Sequence, residues 1–127
     1  MIKTDWRIVF TGHRDRLGHQ GFLDDLAQSL QAIWVHGGAI GFDSQVAATA
    51  ERHGVVQEVH LPDYEQHGKR APLVRNQAML EWPEPQLVIA AWDGRETGGT
   101  AFTVRKAKRL GIPVLYLPTY DVPSATK

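Results

Sequence analysis

The chain contains no cysteine. That removes disulfides, iron–sulfur clusters and thiolate-based zinc sites from consideration. It also has no surplus of either charge: Lys and Arg number 14, Asp and Glu 14, and the formal net charge is +0 with His neutral. Proteins that grip nucleic-acid phosphates normally carry a basic excess, so nucleic acid is not an expected partner. No apolar run approaches the roughly 20 residues of a membrane-spanning helix, and nothing resembles a secretory leader. A cytoplasmic protein with no membrane partner is therefore expected. Internal repeats and low-complexity segments are likewise missing. What is left is 127 residues of mixed composition, the length of one domain with enough chain for an unaided core.

Within it, short apolar runs alternate with amphipathic stretches. Arg7–Thr11, Ile33–His36, Val55–Leu61, Gln86–Trp92 and Pro113–Leu117 read as strands bounded by Gly and Pro. The fourth (QLVIAAW) is continuously apolar, as a strand covered on both faces should be. Phe22, Leu23, Leu26, Ala27 and Leu30 mark one helical face; Val46, Ala47 and Ala50 mark a second. Leu73, Ala78 and Trp82 mark a third, and Ala101, Val104, Ala107 and Leu110 a fourth, which Gly111 and Pro113 end. Such alternation predicts a Rossmann-like three-layer α/β/α sandwich with a five-stranded, mainly parallel sheet in the order 3-2-1-4-5. A single domain over 1–127 is expected, with a core from about 7 to 117 and a loosely held tail, 118–127. Residues His60 to Pro72 exceed the usual connection of about two to six residues, which fits either a binding loop or an irregular surface loop.

In doubly wound sheets, ligands bind beyond the carboxyl ends of the strands where the strand order reverses. Three polar, glycine-bearing turns converge there: Gly12-His13-Arg14-Asp15, His36-Gly37-Gly38-Ala39-Ile40-Gly41-Phe42-Asp43, and Asp93-Gly94-Arg95-Glu96-Thr97-Gly98-Gly99-Thr100. Gly98, Gly99 and Thr100 open a helix, whose first N–H groups and positive dipole end suit an anion. The bland alternative is a helix start capped by Thr97 or Thr100. Gly94 and Gly99 have the spacing of a P-loop, but Thr100 stands where its lysine belongs, and Gly12 does not begin a G-x-G-x-x-G. An ordinary nucleotide triphosphatase and a typical dinucleotide dehydrogenase are thus disfavoured.

Arg14 and Arg75 are candidate phosphate clamps, because a planar guanidinium matches phosphate oxygens bidentately. Arg75 and Asn76 follow the long connection at the start of a helix; Arg95 shares the third turn and is equally well read as solvated. Asp43 reads as a helix N-cap or as a carboxylate for ribose hydroxyls. Asp93 and Glu96 are the carboxylates nearest the expected crevice, as base, electrostatic stabiliser or turn residue. His13 and His36 lack a third metal ligand, so neither a metal nor a cofactor is expected. Ser29 and Ser44 have no nucleophile context.

Taken together, Gly12-His13-Arg14, His36-Gly37-Gly38-Ala39-x-Gly41-x-Asp43, Arg75-Asn76-Gln77-x-Met79 and Gly98-Gly99-Thr100 resemble the SLOG superfamily, and more narrowly its YspA/YpsA-related branch. That superfamily also holds DprA and the LOG phosphoribohydrolases. The resemblance spans residues 7 to 117. It implies a Rossmann-like fold whose glycine turns bind nucleotides or nucleotide-derived ligands, and a homo-oligomer. LOG enzymes hydrolyse the N-glycosidic bond of nucleoside monophosphates with a G-G-x-G-T-x-x-E motif and a helical arginine. Here Thr103 occupies the glutamate position, Arg75 matches the arginine approximately, and Asn76 replaces the lysine that follows it. The expectation is binding or sensing of a nucleoside-monophosphate or ADP-ribose type of ligand by Gly12, His13, Arg14, Gly37, Gly38, Gly41, Asp43, Arg75, Asn76, Asp93, Gly94, Gly98, Gly99 and Thr100. The alternative is a phosphoribohydrolase using Arg75 with Glu96 or Asp93. DprA-like single-strand binding is less favoured, because no aromatic–basic stacking surface is evident.

Overall fold

The computed structural model describes residues 1–81, 83–118 and 120–121. Five parallel strands form the main sheet: β1 (Ile2–Gly12), β3 (Leu30–His36), β4 (Gln57–Val59), β5 (Leu87–Ala91) and β6 (Val114–Leu117). Their order is β4-β3-β1-β5-β6, which is 3-2-1-4-5 when only these strands are counted. The expected Rossmann-like architecture is therefore present, and the sheet is wholly rather than mainly parallel. A separate two-stranded antiparallel ribbon joins β2 (Arg16–Leu17) to β7 (Tyr120–Asp121). Tyr120 and Asp121 of the expected tail take part in that pairing; Thr119 and 122–127 lie outside the described residues, as does Trp82 of the third helical face.

Strand alternation sorts the apolar side chains onto two faces. Ile8, Phe10, Trp34 and Ile89 point toward α1 (Gln20–Ser29) and α2 (Phe42–His53), meeting Leu23, Ala27, Val46 and Ala50. Val9, Val35 and Val88 point the other way, toward Met79 and Leu80 of α4 (Ala71–Glu81) and Ala107 of α5 (Gly99–Arg109). Phe10 lies centrally: its ring centroid is 4.7 Å from that of Trp34 and 6.5 Å from that of Phe42. Helix ends follow local chemistry. Gly54, at φ 68°, closes α2 in the left-handed region and donates to Ala50 and Glu51 carbonyls. Lys106, Lys108 and Arg109 complement the negative end of the α5 dipole. No helix among the described residues is long and apolar enough to cross a membrane.

Several boundaries differ from expectation for identifiable reasons. β1 begins at Ile2 rather than Arg7, because Ile2 and Lys3 pair with Leu30 and Gln31 across an irregular register. The Thr4 hydroxyl donates to Gln31 O at 2.6 Å and holds this polar extension in place. Leu30 consequently opens β3 instead of closing α1's apolar face. The third strand shrinks to Gln57–Val59, with Val56 and Leu61 exposed beside it. The long connection is not irregular throughout. It folds α3 (Tyr64–His67), whose first turn Asp63 caps by accepting from Gln66 N, followed by a 3-10 turn over Gly68–Arg70.

Across the sheet, the buried Arg7 side chain reaches over β3 to Glu58. Its Nε donates to Oε1 at 3.2 Å and its Nη2 to Oε2 at 2.5 Å, while Nη1 donates to the Pro83 carbonyl. The guanidinium holds the Glu58 carboxyl below its usual range, despite the opposing effect of burial. A carboxyl lowered on folding stabilises above its unfolded value near 4.5, and that contribution fades as pH falls through the lower folded value. Removing one partner of a buried pair leaves the other uncompensated, although the partial exposure of Glu58 screens the effect. Glu58→Gln is therefore expected to lose about 1–2 kcal/mol of stability at pH 7. Urea titrations at pH 7 and pH 3.5 should show the gap to wild type narrowing at the lower pH; a constant gap would contradict the assignment.

Candidate functional site

The strand order reverses between β1 and β5, and a cleft of about 750 Å³ opens there beyond their carboxyl ends. Its walls are the loop after β1, the loop after β3, the first turns of α4 and α5, and residues before and within α3. Of the residues expected from sequence, Gly12, His13, Arg14, Gly37, Gly38, Asp43, Arg75, Asn76, Gly98, Gly99 and Thr100 line it. Gly41, Asp93, Gly94 and Glu96 do not. Asp15, Ala39, Ile40 and Arg95 join them from the three converging turns and Met79 from the α4 motif, whereas Phe10, Thr11, Pro62, Tyr64 and Pro72 line it with no signal singled out in the sequence.

Arg75 organises the cleft rather than facing it as a free clamp. Its Nη1 donates to the carbonyls of Gly37 and of His60, the latter at 3.1 Å. Its Nε donates to Pro72 O at 3.3 Å and Asn76 Oδ1 at 2.7 Å. The guanidinium lies directly on Gly37, where a Cβ would fall 2.1 Å from Nη1. Burial pushes the Arg75 pKa down, and the nearby Asp43 charge opposes that shift. Asn76 then donates through Nδ2 to Gly99 O at 3.4 Å, linking α4 to the start of α5.

Asp43 is not an N-cap; Gly41 holds that position and no side chain caps α2. Its Oδ2 instead accepts from the N–H groups of Gly37 and Ala39, at 3.2 and 3.1 Å, folding the loop back on the helix. Burial raises its pKa, against the opposing pull of those amides, His36 and Arg75. His36 braces the same loop from beneath. Gly38 N–H donates to its Nδ1 at 3.0 Å, so Nε2 carries the proton that meets Gln57 Oε1 at 2.8 Å. Gly41 is required for two reasons. Its φ of 87° disfavours a side chain, and a Cβ would stand 2.5 Å from the Arg14 carbonyl oxygen.

The third turn is occupied by its own contacts. Arg95 Nε and Nη2 grip the Asp93 carboxylate, with Nη2 to Oδ2 at 2.6 Å, and Arg95 N–H donates to Oδ1 at 3.0 Å. These bonds hold the Asp93 carboxyl far below its ordinary range. The Asp93 N–H also donates to His13 Nε2 at 3.2 Å. Glu96 is exposed outside the cleft lining; its carbonyl accepts from Arg105. Thr103 is wholly buried, and its hydroxyl donates to Gly99 O at 2.9 Å. Neither Thr97 nor Thr100 caps α5, whose N-cap is Gly98 with no side-chain bond. Arg14, by contrast, is exposed on the cleft wall and makes no hydrogen bond or ion pair among the described residues.

No protein-family profile matches the chain. Gene 61 protein of Mycobacterium phage D29 is 34% identical over 119 residues, spanning 86% of this chain and 94% of that protein. The chain belongs to the family of that phage protein. The alignment covers nearly the whole fold, so the relative shares more than one isolated motif.

The two glycines at loop–helix junctions separate cleanly. Gly98 (φ 97°) has open space around a built Cβ, whereas Gly41 meets backbone. Gly98→Ala should cost backbone strain alone, roughly 1–3 kcal/mol, and Gly41→Ala that strain plus a backbone clash, about 2 kcal/mol more. Paired thermal melts check the order, and equal losses would count against this account of the loop.

Proposed function

We propose that the chain binds or senses a nucleotide or nucleotide-derived ligand in the cleft between β1 and β5. The observation that carries this reading is the pair of anion-binding features on one cleft lining. The first turn of α5 presents Gly98, Gly99 and Thr100 there, and Arg14, whose side chain bonds to none of the described residues, lines the same cleft. The first amides of a helix have no partner within it, and glycine allows an anion close approach. Arg14, not Arg75, is then the guanidinium that closes on phosphate. Arg75 sets the spacing of the walls, and Asp43 holds the Gly37–Ala39 loop against α2. The cleft volume falls within the roughly 300–1,000 Å³ of small-molecule sites. The SLOG resemblance points the same way, and a homo-oligomer belongs to that proposal.

The rival is a phosphoribohydrolase acting on nucleoside monophosphates. It needs a carboxylate beside the glycosidic bond. Asp93 is gripped by Arg95, Glu96 stands outside the lining, and Asp43 is held by loop amides. Asp15, exposed on the lining and 3.7 Å from Arg95 Nη2, is the acid with most freedom. Release of free base from a panel of nucleoside monophosphates, abolished by Asp15→Asn, would support the hydrolase; no release from any of them would set it aside.

Binding is read by thermal shift. A ligand at 100 times its Kd adds about 2.7 kcal/mol of stability, so nucleotides at millimolar concentration should raise the melting temperature by several degrees. Arg14→Ala should remove most of that rise and leave the unliganded melt within about 0.5 kcal/mol of wild type. No shift with any nucleotide would overturn the reading.

A further inference from the structure

Beside its polar groups the cleft also carries apolar and aromatic ones. Ile40, Leu61 and Tyr64 are 59%, 71% and 60% exposed. They stand on two segments that meet: Leu61 packs over Gly38, where a Cβ would lie 2.8 Å from its Cδ2, and Ile40 follows in the same loop. Ile40 and Tyr64 both line the cleft, with Pro62 between Leu61 and the α3 turn. Single exposed apolar side chains are ordinary, but a contiguous group rimming a polar cleft marks a binding surface. Nor is this rim a loose loop. Arg75 fixes its base through His60 O, Asp63 caps α3 through Gln66 N–H, and Gly68, in the left-handed region, ends it. The aromatic ring is thus held at the mouth on an ordered turn.

Resting on the binding reading above, we infer that Tyr64 and Ile40 form the base-holding end of the cleft, so that its ligand is a nucleoside phosphate rather than a bare sugar phosphate or free anion. A flat nucleobase stacks on the tyrosine ring with Ile40 against its edge, while its phosphate lies at the α5 amides and Arg14. Apolar and cationic groups at one continuous cleft match a ligand that is aromatic at one end and anionic at the other. A sugar phosphate would leave Tyr64 and Ile40 uncovered, and inorganic phosphate would touch neither.

The test is calorimetric titration of the full chain with AMP, CMP, ribose 5-phosphate and inorganic phosphate, repeated on Tyr64→Ala and Tyr64→Phe. Tyr64 is exposed, so both variants should fold, and thermal melts of the free proteins check this. Wild type should bind at least one of the two nucleotides about tenfold or more tighter than ribose 5-phosphate, the scale of one base–aromatic stack. Tyr64→Ala should erase that preference and leave ribose 5-phosphate affinity unchanged, and Tyr64→Phe should keep it. Equal affinity for nucleotides and ribose 5-phosphate, or a preference that survives Tyr64→Ala, overturns the base-holding end while leaving the phosphate end intact. Binding of none of the four overturns the parent reading, and this inference with it.

Discussion

A single guanidinium determines the shape of the cleft. Arg75 leaves the first turn of α4 and lies on the bare backbone of Gly37, donating to carbonyls after β3, after β4 and at the start of its own helix. Hydrogen bonds from a charged donor are worth about 1.5–3 kcal/mol each, but the same burial that shortens them penalises the charge, as the lowered pKa records. Asp43 offsets part of that penalty from the opposite side of the loop. The arrangement needs a glycine at 37, because any side chain would occupy the volume of the guanidinium. Wall spacing, the position of the α3 rim and the tilt of the Gly37–Ala39 loop all follow from this one contact.

Around that contact, the polar side chains divide by whether the protein already satisfies them. His36, Asp43 and Asn76 are each committed to backbone groups or neighbouring side chains, at distances between 2.7 and 3.4 Å. Asp93 and Arg95 satisfy each other. Preorganisation of this kind keeps backbone donors fixed, so that little reordering is needed when an anion arrives. The exposed Arg14 contrasts with these bonded groups. The buried braces would register in stability when altered, whereas Arg14 should register in affinity.

Much of the fold was legible because it rests on local pattern. The continuous apolar run at Gln86–Trp92 reads as a strand covered on both faces, and Gly111 with Pro113 as a helix end. The misplaced boundaries have tertiary causes. Leu30 carries helical spacing yet enters β3, since pairing with Ile2 there extends the sheet. Ile2–Trp6 alternates too weakly to announce a strand, and only its partner on β3 makes it one. At the site, the glycine turns were visible, and their convergence followed from topology. Which polar residue would be consumed by which neighbour was not. Arg75 reads as a clamp because spacing cannot show that two carbonyls from distant segments, Gly37 and His60, and one from its own helix await it. Asp93 reads equally as base, stabiliser or turn residue, because its capture by Arg95, two residues on, depends on the turn conformation. A signal for Tyr64 did exist: an aromatic directly after Pro62 and Asp63 in an overlong connection, on a turn that Asp63 could cap.

Thr103 shows how one position can set the character of the whole floor. It lies one turn into α5, buried, with its hydroxyl returned to the Gly99 carbonyl. That bond keeps the helix start regular and leaves the Gly98–Thr100 amides as the groups presented. A glutamate at the same place would bring a carboxylate beneath those amides, compete with any incoming anion for them, and need a cation or water to tolerate burial. With threonine, the helix start keeps its positive potential undiminished. Chemistry requiring an acid must then draw it from the rim, where Asp15 is exposed and loosely paired with Arg95. An acid so placed is exposed to solvent. On the proposed reading, a floor of fixed donors with a solvated carboxylate at its edge would hold an anionic ligand rather than cleave it.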